Sequence, residues 1–203
     1  MVAIVFLIDA IIEQLSLVFT SLIIDICVAF PLAILSVFYK RFSYLVLTIT
    51  NMAQAIPSFA LVAIIVPLAG IGFLPGIVAI VLGSILPIIK NIYIGLTKTN
   101  PALIDSGRGM GLTDLQLVRY IRLPLAYPAI FAGLKFSAII ANGIAVLTAI
   151  IGSGGLGRII FEGLASFNVN KTLSGAIPAI LIALSLDLIF SIAEKKLKSR
   201  SVY

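Results

Sequence analysis

Residues 97–126 read TKTNPALIDSGRGMGLTDLQLVRYIRLPLA. The stretch carries its own helix punctuation. Asn100 followed by Pro101 is an N-cap with proline at the first helical position. Thr113-x-x-Gln116 is a capping box. Gly111 is expected to end the first helix and Pro124 the second. The spacing therefore predicts two short helices hinged at Gly111–Leu112. Leu103, Gly107 and Met110 form the stripe of the first, and Leu115, Val118 and Ile121 that of the second. Helices this short are marginal alone in water, and Gly107 and Gly109 each cost about 1 kcal/mol relative to alanine. Such a pair makes sense where something packs closely on it. An interfacial loop lying on lipid headgroups would use the same pattern.

Outward from this segment the chain is nearly uncharged. Of 203 residues, 61% are apolar and 11% charged, against about 45–50% and about 25% in soluble domains. Residues 42–89 contain no charge. A chain of this size cannot hide so much apolar side chain from water, so the bilayer is its solvent. That excludes a soluble enzyme and a nucleic-acid reader. The single Cys27 excludes a disulfide scaffold. A span takes about 20 apolar residues. Five are expected, at about 15–38, 45–68, 75–95, 127–150 and 172–192, giving an all-α polytopic protein made of one membrane domain over residues 1–203. Met1–Ile12 is apolar but short and is expected in the interface. Without a basic stretch before it, it is not expected to be a cleavable signal.

The basic residues supply an orientation. Lys40, Arg41, Lys90, Lys98, Arg108, Arg119, Arg122, Lys135, Lys195, Lys196, Lys198 and Arg200 fall on one side of the spans, and Arg158 and Lys171 on the other. The positive-inside rule puts the larger set in the cytoplasm, with the N-terminus outside and the C-terminus inside.

The segment also has a register. Asp105-Ser106-Gly107, three residues, Gly111, nine residues, Ile121-x-Leu123-Pro124 resembles the cytoplasmic signature of binding-protein-dependent ABC importer permeases. That signature reads Glu-Ala-Ala, three residues, Gly, nine residues, Ile-x-Leu-Pro. Asp105, Ser106 and Gly107 stand where the family has Glu-Ala-Ala. Further stretches resemble the osmoprotectant subfamily, whose solutes are glycine betaine, carnitine and choline: Gln54-Ala55-Ile56-Pro57-Ser58, Ile65 to Gly72, Leu86-Pro87-Ile88, Gly109-Met110-Gly111, Ile151 to Gly157, and Gly175 to Ala179 with Asp187. The resemblance implies that 97–126 is a coupling segment docked on a separate ATPase subunit. It implies a second permease chain, the same or homologous, and an external solute-binding protein as a separate chain. It also implies a place in the bacterial cytoplasmic membrane. ATP hydrolysis is then the partner's, and neither cofactor nor metal is expected on this chain. Betaine, choline and carnitine fit the chain equally, as does ergothioneine; a permease for an amino acid is a further alternative.

Gly152-Ser153-Gly154-Gly155-Leu156-Gly157 satisfies G-x-G-x-x-G, but an apolar span precedes it where a dinucleotide site needs a βαβ strand. It reads as an external loop, either flexible or, by the resemblance, close to the docked binding protein. Gln54, Pro57, Ser58, Asn142 and Thr148 are candidates for the translocation pathway, because uncharged polar groups at membrane depth line a path or join helices. Asp25 and Asp187 fall inside spans, where an ionised carboxylate is costly. Asp25 either bonds Gln54 or Asn142 or stays protonated; Asp187 reads as a structural hydrogen bond. A small secondary transporter using these two acids, or a membrane scaffold, is the rival class, and neither has a use for the capped helix pair.

Overall fold

The computed structural model describes residues 2–200, with side chains for 5–196. Met1 and residues 201–203 lie outside the described residues, as do the side chains of Lys198 and Arg200 that count toward the basic tally. Among the described residues every regular element is helical. Helix α1 is Val2–Phe38, α2 Lys40–Ala55, α3 Ser58–Ala69, α4 Phe73–Thr97 and α5 Pro101–Gly109. Helix α6, Asp114–Leu117, runs through a π-helical turn, Val118–Arg122, into α7, Leu123–Thr148. Helices α8, Leu156–Ala165, and α9, Val169–Arg200, close the chain.

Among the described residues four stretches are long and apolar enough to cross a membrane: Val5–Phe38, Phe73–Thr97, Asp114–Ile151 and Val169–Lys196. Helices α2 and α3 qualify jointly as a fifth, bent by 101°. The bend falls at Ile56–Pro57. Pro57 has no amide hydrogen to continue the ladder, and the residue before a proline is pushed to extended backbone; Ile56 has φ −71° and ψ 125°. The expected 45–68 span is thus two helices at an angle.

Three further expectations are corrected. Residues 2–12 are not separate from the first span but form the first turns of α1, since no breaker stands between them. Pro124 does not end a helix. The π turn before it offsets the register, with Leu123 N donating to Val118 O, so the chain passes the proline without a stop. Residues 152–157, expected as a loop throughout, already enter a helix at Leu156, where α8 begins.

Helix α4 is the centre of the bundle and α9 its edge: 61% of the apolar stretch of α4 is buried, against 11% for α9. Lipid gives no hydrophobic drive between helices, so close approach of small residues has to supply the packing. Helices α4 and α7 achieve it through Gly95 and Gly133. A Cβ on Gly133 would stand 2.9 Å from Pro87 O, and one on Gly95 2.9 Å from Ala126 Cβ. One end of the bundle gathers Phe38, Thr97, α5 and α6. The other gathers Gly72, whose amide donates to Ile151 O at 2.7 Å, and the 152–155 turn.

Candidate functional site

At the first end, the caps form as local chemistry dictates. Asn100 Oδ1 accepts from Ala102 N at 3.0 Å. Thr113 N donates to Gln116 Oε1 at 2.8 Å, and Gln116 N to Thr113 Oγ1 at 3.4 Å. Gly111, at φ +83°, turns the chain between the helices. Gly107 lets α5 lie on the second helix: a Cβ there would meet Leu117 Cδ2 at 2.6 Å and Ile121 Cδ1 at 2.7 Å. The close packing anticipated for this glycine is therefore made within the chain.

The expected stripes are displaced. Ile104, Gly107, Leu117 and Val118 are buried, and Ile121 partly so, while Leu103, Met110 and Leu115 are exposed. Asp105, Ser106 and Gly109 are exposed with them, and nothing lies within 4 Å of a Cβ on Gly109. Leu123 and Pro124 are half-buried where α7 begins. Arg108 pairs with Asp114 at 3.4 Å across the hinge. The pair thus exposes Leu103, Met110 and Leu115 among polar residues on its outside, while Gly107 closes its inner side. Helix α6 continues through the π turn into α7, so Asp114–Ile151 is one continuous helical stretch.

A groove of about 380 Å³ lies among α2, α4 and α7. Gln54 enters it from α2, Lys90 and Asn91 from α4, and Phe136 and Ile140 from α7. Pro57 is exposed and Ser58 half-buried at the bend just beyond. Of the five pathway candidates, these three face open space. Asn142 and Thr148 do not. Asn142 accepts from Gln14 Nε2 at 2.9 Å and donates to Ala179 O at 3.1 Å. Thr148 Oγ1 accepts from Ser153 Oγ at 2.8 Å. Both are buried inside the chain.

The glycine turn at the other end is tied down. Gly152, Gly154 and Gly155 all have positive φ. Gly155 N donates to Glu13 Oε2 at 2.8 Å and Leu156 N to Gln14 Oε1 at 3.3 Å. Arg158 stands 3.8 Å from the same Glu13 oxygen. Helix α1 thus caps α8, satisfying two of the amides that a helix start leaves open, and Gly157 packs against Val146 of α7. Glu13 and Gln14 were not singled out in the sequence; the only signal was a pair of polar residues in an apolar helix.

The two membrane acids part company. Asp25 is fully buried, and its Oδ2 accepts from Ser84 Oγ at 2.7 Å and Ser137 Oγ at 3.2 Å, not from Gln54 or Asn142. Asp187 is half-exposed and lies 3.8 Å from Lys135, which also stands 3.9 Å from Glu194. The structural part expected for Asp187 is an ion pair. Neither acid opens onto the groove, and among the described residues no cluster of His, Cys, Asp and Glu could hold a metal.

The family described as binding-protein-dependent transport system inner membrane component matches residues 25–200. The choline transport system permease protein OpuBB of Bacillus subtilis is 38% identical over 185 residues, covering 91% of this chain and 85% of the relative. The glycine betaine/carnitine/choline transport system permease protein OpuCD of the same organism is 40% identical over 171 residues, covering 84% and 75%. Among solved structures, an inward-facing form of the MetNI methionine ABC transporter aligns with TM-score 0.86 at 20% identity, over 96% of this chain and 97% of that one. At that identity the likeness is one of fold.

Proposed function

The chain belongs to the binding-protein-dependent transport system inner membrane components, and from that premise we propose that it is the permease subunit of an ABC importer for quaternary-ammonium osmoprotectants: glycine betaine, carnitine and choline. The observation that carries the coupling part is the exposed apolar face of Leu103, Met110 and Leu115 on a helix pair closed internally by Gly107. Large apolar side chains exposed on a helix pair outside the spans suit a partner surface. The substrate part rests on the relatives, which are named for these solutes.

In this reading α5 and α6 sit in a groove of a separate ATPase subunit. ATP binding draws the ATPases together, and the motion passes through the π turn into α7. Two permease chains, identical or homologous, enclose the path between their α2–α4–α7 grooves, because one chain walls only one side. Gln54, Pro57 and Ser58 line it. A binding protein delivers solute at the end holding the 152–157 turn, which faces the outside of a bacterial cytoplasmic membrane; α5, α6 and the end of α9 are cytoplasmic. Apart from Lys90 the lining is uncharged, which suits passage, since a path has to bind weakly enough to release. A secondary transporter is disfavoured by the placement of Asp25 and Asp187 away from the groove.

The test is uptake by proteoliposomes holding the complete complex and loaded with ATP. Radiolabelled glycine betaine, carnitine and choline are offered with the binding protein. Uptake of at least one that stops without ATP is expected. Uptake driven by a proton gradient without ATP would overturn the reading.

A further inference from the structure

We propose that Lys90 makes the pathway favour solutes that carry a carboxylate beside their quaternary ammonium, so that a zwitterion passes in preference to a plain cation. The inference rests on the permease reading above and deepens it. Lys90 is exposed in the α2–α4–α7 groove, beside Asn91 and opposite Gln54. No acidic side chain lines that groove. Among the described residues no carboxylate stands within ion-pair distance of Lys90. Lys135, the next cation along α7, is offset by Asp187 and Glu194 at 3.8 and 3.9 Å. The groove therefore carries one uncompensated positive charge.

Its depth argues against a mere orientation signal. Lys98 already stands past the end of α4, whereas Lys90 is seven residues inside Thr97, about 10 Å along the axis at 1.5 Å per residue. A lysine at that depth is costly toward lipid and belongs on a wet or protein-lined face. Asn91 and Gln54 supply such a face. There the ammonium repels choline, which has only a positive end. Glycine betaine and carnitine can turn a carboxylate toward it. A flexible point charge with three donors suits transient contact with a moving carboxylate.

The experiment uses the complete complex in ATP-loaded proteoliposomes, with the binding protein saturated by glycine betaine or by choline in turn, so that the permease step is compared. The quantity read is the ratio of the two uptake rates. Lys90→Gln lowers the betaine-to-choline ratio on the order of fivefold, the size of an exposed ion pair's effect. Lys90→Glu lowers it further by raising choline uptake, and Lys90→Arg preserves it. Melting temperature in detergent controls for folding. A ratio unmoved in the Gln and Glu variants, with melting unchanged, overturns the proposal and means that the ammonium snorkels to the headgroups. Wild-type complex that imports none of glycine betaine, carnitine and choline overturns the permease reading itself. Failure of selectivity alone shows instead as wild-type import with an immovable ratio.

Discussion

Gln14 on α1 donates to Asn142 Oδ1 on α7 at 2.9 Å, across 128 positions of sequence. Its Nε2 also reaches Asn142 O at 3.1 Å, and its Oε1 accepts from Leu156 N. Asn142 in turn donates to Ala179 O on α9. One amide pair therefore joins α1, α7, α8 and α9. Removing either side chain leaves buried polar groups unmatched. Gln14→Leu or Asn142→Leu should each destabilise the chain by about 1–3 kcal/mol. The double variant should cost less than the sum, because its members share partners. Thermal unfolding of the purified complex in detergent measures both. Additive losses would mean that the two residues act separately.

Gly107 and Gly109 should separate folding from coupling. A side chain at Gly107 drives into Leu117 and Ile121, so Gly107→Val should lower the melting temperature. Gly109 faces open space, so Gly109→Trp should leave melting unchanged and weaken ATPase retention. Overpacking costs about 1–3 kcal/mol, which is about fivefold to 150-fold in affinity. Normal ATPase co-purification with Trp at 109 would remove this face from the interface. Gly111 is a poorer probe, since its φ of +83° strains any replacement.

What could be read in advance divides along the range of the interaction. The caps at Asn100 and Thr113–Gln116 are visible because each bonds within three residues. The spans are visible because lipid demands long apolar runs. The π turn before Pro124 is hidden, since the rule that proline stops a helix presumes an unbroken α register. The inner face of α5 is Ile104 and Gly107, not Leu103 and Met110, because on a helix of nine residues two adjacent stripes are equally apolar. Asn142 and Gln54 look alike in sequence. Only the fold buries one against Gln14 and opens the other to a groove.

Asp25 tests the rival class. Its Oδ2 accepts from Ser84 and Ser137, and it is closed off from the groove. The amide oxygen of Asp25→Asn can take the same bonds, so ATP-dependent uptake should persist. Asp25→Leu leaves two buried hydroxyls without this acceptor and should lower the melting temperature, by about 1–3 kcal/mol of stability. A folded Asn variant without uptake would point to a proton carrier.

The orientation is tested with single cysteines. Cys27 is exposed and has to be replaced first, by Cys27→Ala. Ser153 is buried and would react poorly wherever it stood. Phe167, 95% exposed, and Met110, 73% exposed, are better positions. Phe167→Cys should label from outside whole cells with an impermeant thiol reagent, and Met110→Cys only after permeabilisation. The opposite pattern would invert the topology drawn from the basic residues.

The last prediction concerns affinity. Tight capture of a trimethylammonium group needs an aromatic cage shielded from water. The chain has no Trp, and the ring that enters the groove, Phe136, is 52% exposed. The Lys135 ammonium already stands 5.5 Å from its centroid, so a second cation would meet repulsion there. Lys90 adds a single contact for a carboxylate, too little for a tight site. The permease–ATPase complex without its binding protein should therefore bind glycine betaine, carnitine and choline only weakly. Its ATPase should answer to the loaded binding protein and not to free solute. Calorimetric titration of the purified complex with each solute reads the first, and ATPase rate against solute concentration reads the second. Tight binding or direct stimulation would mean that the groove selects its own substrate. Exchange of the binding protein would then leave the imported solute unchanged, where division of labour requires it to change.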